Sequence, residues 1–352
     1  MTHGVGTSWL AGLESVARDV LPTSVFDYIR QGAGQSLSAD EANAAWSRSR
    51  FIPRVLRDVS DIELATTVLG APLASPVAVA PTTLQRLVHP EGELAMARAC
   101  ASAGSLMVVS SNAGTPFREI GATGVQWWLQ AYLTRDRSLS EPVVDAAVDA
   151  GARAIVLTLD TPTVGTKNGI GPDFWEAVPP GTLRVNFADQ RPGITGAEKA
   201  TDLGPDDIAR LGERTGLPIV VKGVLHPADA VRCVEAGAAA VWVSNHGGRQ
   251  LDRVVSTADA VSGVVEAVGE TAEVYVDGGI RSGLDVFAAL ATGVRCVFVG
   301  RLGLWALVAG ESSVARMHEE LRTELGESMR LAGARTPTEA VSMLVRNGEK
   351  GL

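Results

Sequence analysis

IVVKGVLHPADAVRCVEAGAAAVWVSNHGG, residues 219–248, decides the fold. Ile219–Lys222 is a short β-branched run, and Ala240–Ser244 is a second. Neither alternates apolar with polar residues, which is how parallel strands buried on both faces read. Between them Ala228–Ala236 has a helical pattern, and Gly237 suits the left-handed position that ends a helix. Strand, helix and strand in that order make a βαβ unit.

The same unit recurs on either side. Six more runs read as buried strands: Pro76–Ala80, Leu106–Ser110, Gln126–Gln130, Ala154–Leu159, Val274–Val276 and Cys296–Val299. Helical patterns fall between strands at Glu91–Ala103, Glu141–Ala150, Pro205–Thr215, Ala258–Val268 and Leu284–Thr292. Asp206 and Asp207 open one of them, where the helix dipole favours acids. Gly151, Gly269 and Gly293 stand at helix ends as Gly237 does. Eight strands with intervening helices predict an α/β fold, a (β/α)8 barrel. Residues 1–60 read as a lead-in of short helices packed on a barrel of residues 61–352. Residues 163–204 form a long Gly/Pro-rich insertion after the fourth strand, and Glu311–Leu352 reads as helices outside the barrel.

Composition narrows the class. The 352 residues carry 31 Lys+Arg against 40 Asp+Glu, a net charge of −9, which argues against a general nucleic-acid or anionic-membrane binder. The chain is 46% hydrophobic and 20% charged, an ordinary globular composition. No run approaches the ~18 apolar residues of a membrane span. Met1–Leu10 lacks a basic stretch followed by an apolar core, so no secretory signal is expected. Cys100, Cys233 and Cys296 are too scattered for a disulfide framework or a metal site, and fit thiols in a reducing cytoplasm.

In such a barrel the chemistry sits at the C-terminal strand ends. Those ends carry Pro81-Thr82-Thr83, Ser110-Ser111-Asn112, Gln130 with Tyr132, Thr158 with Asp160, Lys222, Ser244-Asn245-His246, Asp277-Gly278-Gly279 and Gly300-Arg301. His246, followed by two glycines, can present an imidazole with little cover, and Arg249 supplies a fork for a carboxylate. Asp160 in contact with His246 would orient the ring and stabilise its protonated form. His3, His89, His226 and His318 have no such company and read as surface or satisfied buried residues. Asp277-Gly278-Gly279-Ile280-Arg281-Ser282-Gly283 and Val299-Gly300-Arg301 follow strands seven and eight, where this fold holds phosphates. Together these point to a phosphorylated cofactor. No GxGxxG follows the first strand, so nicotinamide is not supported.

FDYIRQGAG (26–34), VAVAPTTLQRLVHPEGE (77–93), WLQAYL (128–133), LTLDTPTVG (157–165), VVKGVL (220–225), VSNHGGRQLD (243–252), DGGIRSG (277–283) and VGR (299–301) resemble the FMN-dependent α-hydroxy acid oxidase and dehydrogenase family. That family includes glycolate oxidase, lactate oxidase, mandelate dehydrogenase and hydroxymandelate oxidase, and the likeness runs from about Val25 to Leu331. It implies FMN at the strand ends. It implies His246 as the base, Asp160 as its partner, Arg249 as the carboxylate clamp, and Tyr28 and Tyr132 as hydrogen-bond donors to substrate. Lys222 would lie by the flavin N1/O2 edge, with Ser110, Gln130, Thr158, Ser244 and the backbone of Ala80-Pro81-Thr82 around the ring. Asp277, Gly279, Arg281, Gly300 and Arg301 would take the ribityl and phosphate groups.

Three positions depart from the family pattern. Lys167 stands where a second carboxylate-binding Arg is expected, and loses that fork. Thr83 replaces a small residue beside the flavin N5, and Asn112 replaces a residue often aromatic in glycolate oxidases. These direct the expectation to oxidation of a bulky or aromatic, mandelate-like (S)-2-hydroxy acid, with reoxidation by oxygen to hydrogen peroxide or by another acceptor. Hydride and carbanion routes both remain open. The resemblance further implies a homo-oligomer, most often a tetramer. The rival readings are an FMN-dependent isomerase or tailoring enzyme on this barrel, and a flavin-binding protein without catalysis.

Overall fold

Apolar runs that must bury both faces do so most fully in a closed parallel sheet ringed by helices. The computed structural model, which describes residues 8–187, 195 and 197–345, has that closure. An antiparallel hairpin, β1 (Thr66–Val68) and β2 (Ala71–Leu73), precedes the barrel. The barrel strands are β3 (Val77–Val79), β4 (Leu106–Ser110), β5 (Gln126–Ala131), β6 (Ile155–Thr158), β7 (Ile219–Val224), β8 (Ala240–Val243), β9 (Glu273–Asp277) and β10 (Cys296–Val299), in that order round the ring. All eight expected strands are present. The hairpin was not expected; it stoppers the N-terminal end, where Val68 and Leu73 join the interior core and Leu69 N–H donates to Glu273.

Alternation along each strand sorts its residues onto two faces. Val79, Val109, Leu129, Leu157, Val221, Val243, Val276 and Val299 face the helices. Ala78, Val108, Trp128, Val156, Val220, Trp242, Tyr275 and Phe298 fill the interior, small residues interleaved with large rings. The Trp242 and Phe298 centroids are 3.8 Å apart. Continuing the interior rows by two residues reaches Ser110, Gln130, Thr158, Lys222, Ser244 and Gly300, so the polar strand ends point into the barrel mouth.

The lead-in holds α1 (Trp9–Val20), α2 (Thr23–Arg30) and α3 (Leu37–Ser47). From there to β1 no helix forms, contrary to the expectation of helices up to residue 60; Ile52 N–H and Arg54 N–H bond Met343 and Ala332 instead. Around the barrel follow α4 (Gln85–Val88), α5 (Gly92–Ser102), α6 (Phe117–Gly121) and α7 (Glu141–Asp149). The insertion carries α8 (Pro172–Glu176), and then come α9 (Pro205–Thr215), α10 (Pro227–Glu235), α11 (Thr257–Val268), α12 (Gly283–Ala291) and α13 (Arg301–Leu307). The last long helix, α14 (Glu311–Ala332), packs outside on α5, α12 and α13. Gly151, Gly237 and Gly293 are left-handed, at φ 93°, 96° and 105°. Gly269 is not; at φ −62° it stays helical, because the turn runs on through Thr271 and Ala272 bonded to Val268. His3 and residues 188–194, 196 and 346–352 lie outside the described residues.

Candidate active site

The interior rows end in one cavity of about 430 Å³. Its lining includes Tyr28, Ala80, Pro81, Thr82, Thr83, Ser110, Asn112, Gln130, Tyr132, Thr158, Lys167, Lys222, His246, Arg249, Asp277, Gly279, Arg281, Gly300 and Arg301. Asp160 and Ser244, the other two sequence-selected residues, stand directly behind this lining, each bonded to a member of it.

Two polar networks fix the floor. Lys222, 3% exposed, donates to Ser244 Oγ at 2.7 Å and lies 3.3 Å from Asp277 Oδ2. Ser244 Oγ donates to Asp277 Oδ1 at 2.8 Å and accepts the His246 N–H at 3.0 Å. Every member of this buried cluster is bonded, the condition for tolerating an interior charge. In the second network Ser110 Oγ donates to Gln130 Oε1 at 3.2 Å and Gln130 Nε2 donates to Thr158 Oγ1 at 3.0 Å, which orients the Gln130 amide.

His246 Nδ1 and Asp160 Oδ1 are 2.9 Å apart. Burial pulls the imidazole below its ordinary range, against the opposing pull of Asp160. Burial alone would raise Asp160, but the charge and hydrogen bond of His246 outweigh it and hold the carboxyl at about 2. Near neutral pH this is an ionised Asp160 accepting from a neutral ring. Nδ1 therefore carries the proton, and Nε2 is left as a basic acceptor. Thr161 Oγ1 donates to Asp160 Oδ1 at 2.9 Å and accepts from Gln250 Nε2 at 2.8 Å. The β-bulge at Gly223, φ 101°, lets Asp160 come close, since a Cβ there would lie 2.6 Å from the Asp160 Cβ. Thr161, Gln250 and Gly223 carried no expected role, although each sits inside or beside a motif that did.

The backbone at His246 is left-handed, φ 58°, as are Gly247 and Gly248 at 62° and 73°. A non-glycine residue there costs free energy and is held by its surroundings. Asn245 Oδ1 accepts the Gly248 N–H, and Gly248 O accepts the Ala33 N–H. Further along the motif, Asp252 accepts the N–H groups of Gln35 and Ser38 at the start of α3. The motif therefore also fastens the lead-in across the barrel mouth, placing Tyr28 in the cavity wall.

Two of the three arginines assigned to ligands, Arg249 and Arg301, also do structural work. Arg249 Nη1 donates to the carbonyls of Tyr28 and Gln31, at 2.7 and 2.8 Å. Arg301 donates to Ile29, Gln31 and Gly247. Two cations thus cap the carbonyl end of α2, where the dipole favours them. Beyond these carbonyls the Arg249 guanidinium meets the Tyr28 side chain and faces the cavity. No ion pair to Arg249, Arg281 or Arg301 occurs among the described residues. Burial lowers all three, and Arg301, further opposed by Arg249 and Arg281, falls to about 9. Enclosed cations lacking a counter-ion make an anion site.

Lys167 lines the cavity beside Arg249. Its Nζ donates to the carbonyls of Gly165 and Arg249, and burial lowers it to about 8. Tyr132, raised above its ordinary range by burial and by Asp160, stays a neutral phenol. The Tyr28 ring stacks on Phe174 of α8 at 4.6 Å, with the Arg249 guanidinium 4.8 Å from its centre. Phe174 and Lys199, both from the insertion, were not selected from sequence, where that segment shows no period and no motif.

A profile of the family described as FMN-dependent dehydrogenase matches residues 17–347. The chain is 41% identical to glycolate oxidase 3 of Arabidopsis thaliana, over 93% of this chain and 92% of that one. It is 40% identical to 4-hydroxymandelate oxidase of Amycolatopsis orientalis, over 92% and 94%. A crystal structure of mandelate oxidase with (S)-4-hydroxymandelic acid superposes with a TM-score of 0.88 at 38% identity, covering 96% of this chain and 98% of that one.

Proposed function

The chain belongs to the FMN-dependent dehydrogenase family, and on that premise we propose that it oxidises a bulky or aromatic (S)-2-hydroxy acid to the 2-oxo acid, with oxygen as the final acceptor and hydrogen peroxide as product. One observation carries this reading. A neutral imidazole oriented by an ionised carboxylate at 2.9 Å shares a cavity with Arg249, a guanidinium that pairs with no protein carboxylate among the described residues.

The residues present fit FMN. Arg281 and Arg301 are half-buried cations in the cavity wall without a carboxylate partner among the described residues, as a phosphate requires. Gly300 leaves open space, since a Cβ there would meet only the Thr82 methyl at 3.9 Å. Gln130 and Lys222 supply buried, oriented donors for the ring, with Ser110, Thr158, Ser244 and the Ala80–Thr82 backbone beside them. Gly279 and Asp277 border the path between ring and phosphate. FMN, when bound, supplies the acceptor for the electron pair.

The remaining work belongs to the chain. The Arg249 guanidinium holds the substrate carboxylate, and the Tyr28 and Tyr132 hydroxyls orient the carboxylate and the carbinol. His246 Nε2 takes a proton from the substrate, and Asp160 stabilises the imidazolium so formed. Lys167, bonded to backbone, leaves Arg249 as the principal clamp. Val164, Trp175, Leu183 and Phe187 line the cavity and give an apolar wall suited to an aryl side chain.

The test is an anaerobic absorbance titration of the purified flavoprotein with (S)-mandelate and with glycolate, followed by admission of oxygen. Bleaching by mandelate at far lower concentration than glycolate, then stoichiometric peroxide, is the expected result. Bound flavin that no hydroxy acid bleaches would overturn it and favour a tailoring enzyme.

A further inference from the structure

The cations of the cavity outnumber the anions that the proposed reaction supplies. Among the described lining residues Asp277 is the one carboxylate, and it pairs with Lys222. A cofactor phosphate answers Arg281 and Arg301, a substrate carboxylate answers Arg249, and backbone carbonyls answer Lys167. Arg184 is exposed and stacks on Phe187, where water serves it. Lys199 remains. It is partly buried in the cavity wall and forms no ion pair or hydrogen bond through Nζ among the described residues.

Its position is built. Lys199 forms an antiparallel bridge with Thr134, Arg135 N–H donates to Glu198 O at 2.8 Å, and Ala200 N–H donates to Leu133 O at 2.9 Å. The insertion is thereby stitched to the chain just beyond β5, and the Lys199 ammonium lies 3.5 Å from the centre of the Tyr132 ring. Tyr132 is a substrate-orienting residue in the reading above, so this ammonium borders the space that a substrate side chain enters. An aromatic face compensates an enclosed ammonium only in part. Burial correspondingly lowers Lys199 to about 8, with Asp160 opposing and Lys167 adding to the fall. An anionic ligand group at this point would restore what burial removes.

We propose that Lys199 is a specificity-determining residue, and that the substrate's side chain carries a second anionic group, such as a ring carboxylate, received by the Lys199 ammonium beside Tyr132. This rests on the hydroxy-acid reading and deepens it from an aromatic to an acidic aromatic 2-hydroxy acid.

The experiment compares anaerobic flavin reduction by (S)-3- and (S)-4-carboxymandelate with that by their neutral carbamoyl isosteres, with (S)-mandelate as reference. A charge-assisted hydrogen bond gives the better-placed carboxylate a preference of roughly 10- to 100-fold in kcat/KM over its isostere. Lys199→Met should bring that ratio to about 1, and Lys199→Arg should keep most of it. A ratio near 1 in the wild type overturns the proposal. So does a Lys199→Met variant that slows carboxyl and carbamoyl substrates alike, since Lys199 then acts only by placing Tyr132. Bleaching by mandelate with no carboxylate preference refutes this inference alone. Bleaching by none of the acids refutes the hydroxy-acid reading, and this inference falls with it.

Discussion

Asp160→Asn tests the core of the mechanism, because it removes one charge with almost no change of shape. In the resting site Asp160 Oδ1 accepts from His246 Nδ1 at 2.9 Å, and the two side chains are 13% and 24% exposed. Once His246 Nε2 takes a proton, that contact becomes an imidazolium beside a carboxylate. A hydrogen bond to a charged group contributes ~1.5–3 kcal/mol. Unit charges 4 Å apart attract by ~4 kcal/mol at an effective dielectric constant of 20, which sets the upper end. The loss should therefore be ~2–4 kcal/mol in the transition state, or roughly 30- to 1,000-fold in the rate of flavin reduction. The assay is anaerobic stopped-flow reduction at saturating (S)-mandelate, on variants matched for bound flavin. The pH profile adds a second arm. Reduction needs neutral His246, so the rate falls as acid protonates the ring. Asp160 raises the imidazole against burial, so the Asn variant should show its acid limb at lower pH than the wild type. A rate within about threefold of wild type, under ~0.7 kcal/mol, would refute the reasoning, as would an acid limb displaced upward.

Lys222→Met should destabilise the protein by about 3–5 kcal/mol, because it strands Asp277, 6% exposed, without its cation; Lys222→Met/Asp277→Asn should recover much of that in urea unfolding yet stay unable to reduce flavin. Gly279→Ala places a Cβ 2.2 Å from Ala42 O at a residue of φ 82°, so it should loosen α3 at a cost of about 1–3 kcal/mol and lower the flavin-to-protein ratio after gel filtration. His318 is 2% exposed and held near 4 by burial, below its unfolded value of 6.5. The unfolded chain binds the proton first, so stability is full above pH 6.5 and falls toward pH 4, with ~2 kcal/mol lost between pH 7 and 5; His318→Leu should flatten that slope in urea midpoints.

The eight barrel strands were readable because burial on both faces leaves uninterrupted Val, Ile and Leu runs. The hairpin Thr66–Leu73 was not, since three-residue strands broken by Gly70 and Pro72 carry no period. The pairing of Asp160 with His246, 86 residues apart, was expected because both follow barrel strands at the same end and because the family resemblance implies it. The second duty of Arg249 and Arg301 was invisible: a guanidinium bonded to main-chain carbonyls has no partner residue type to look for. Lys199 was invisible for a related reason. It owes its place to one bridge with Thr134 in a stretch without repeat, and only the folded insertion sets it on Tyr132.

The lead-in clasp has a consequence for biosynthesis. Trp46 bonds Gly278 O across 232 residues, and Arg301 bonds Ile29 O across 272, so helices of the lead-in grip strand ends that leave the ribosome more than 200 residues later. No nascent fragment short of β10 holds a complete mouth, and closing loops of that length delays its formation further. Cofactor capture at a complete mouth therefore waits for delivery of β10 and Arg301. A chain interrupted before Arg301 lacks the grip that holds Ile29 and would hold no flavin at a completed mouth.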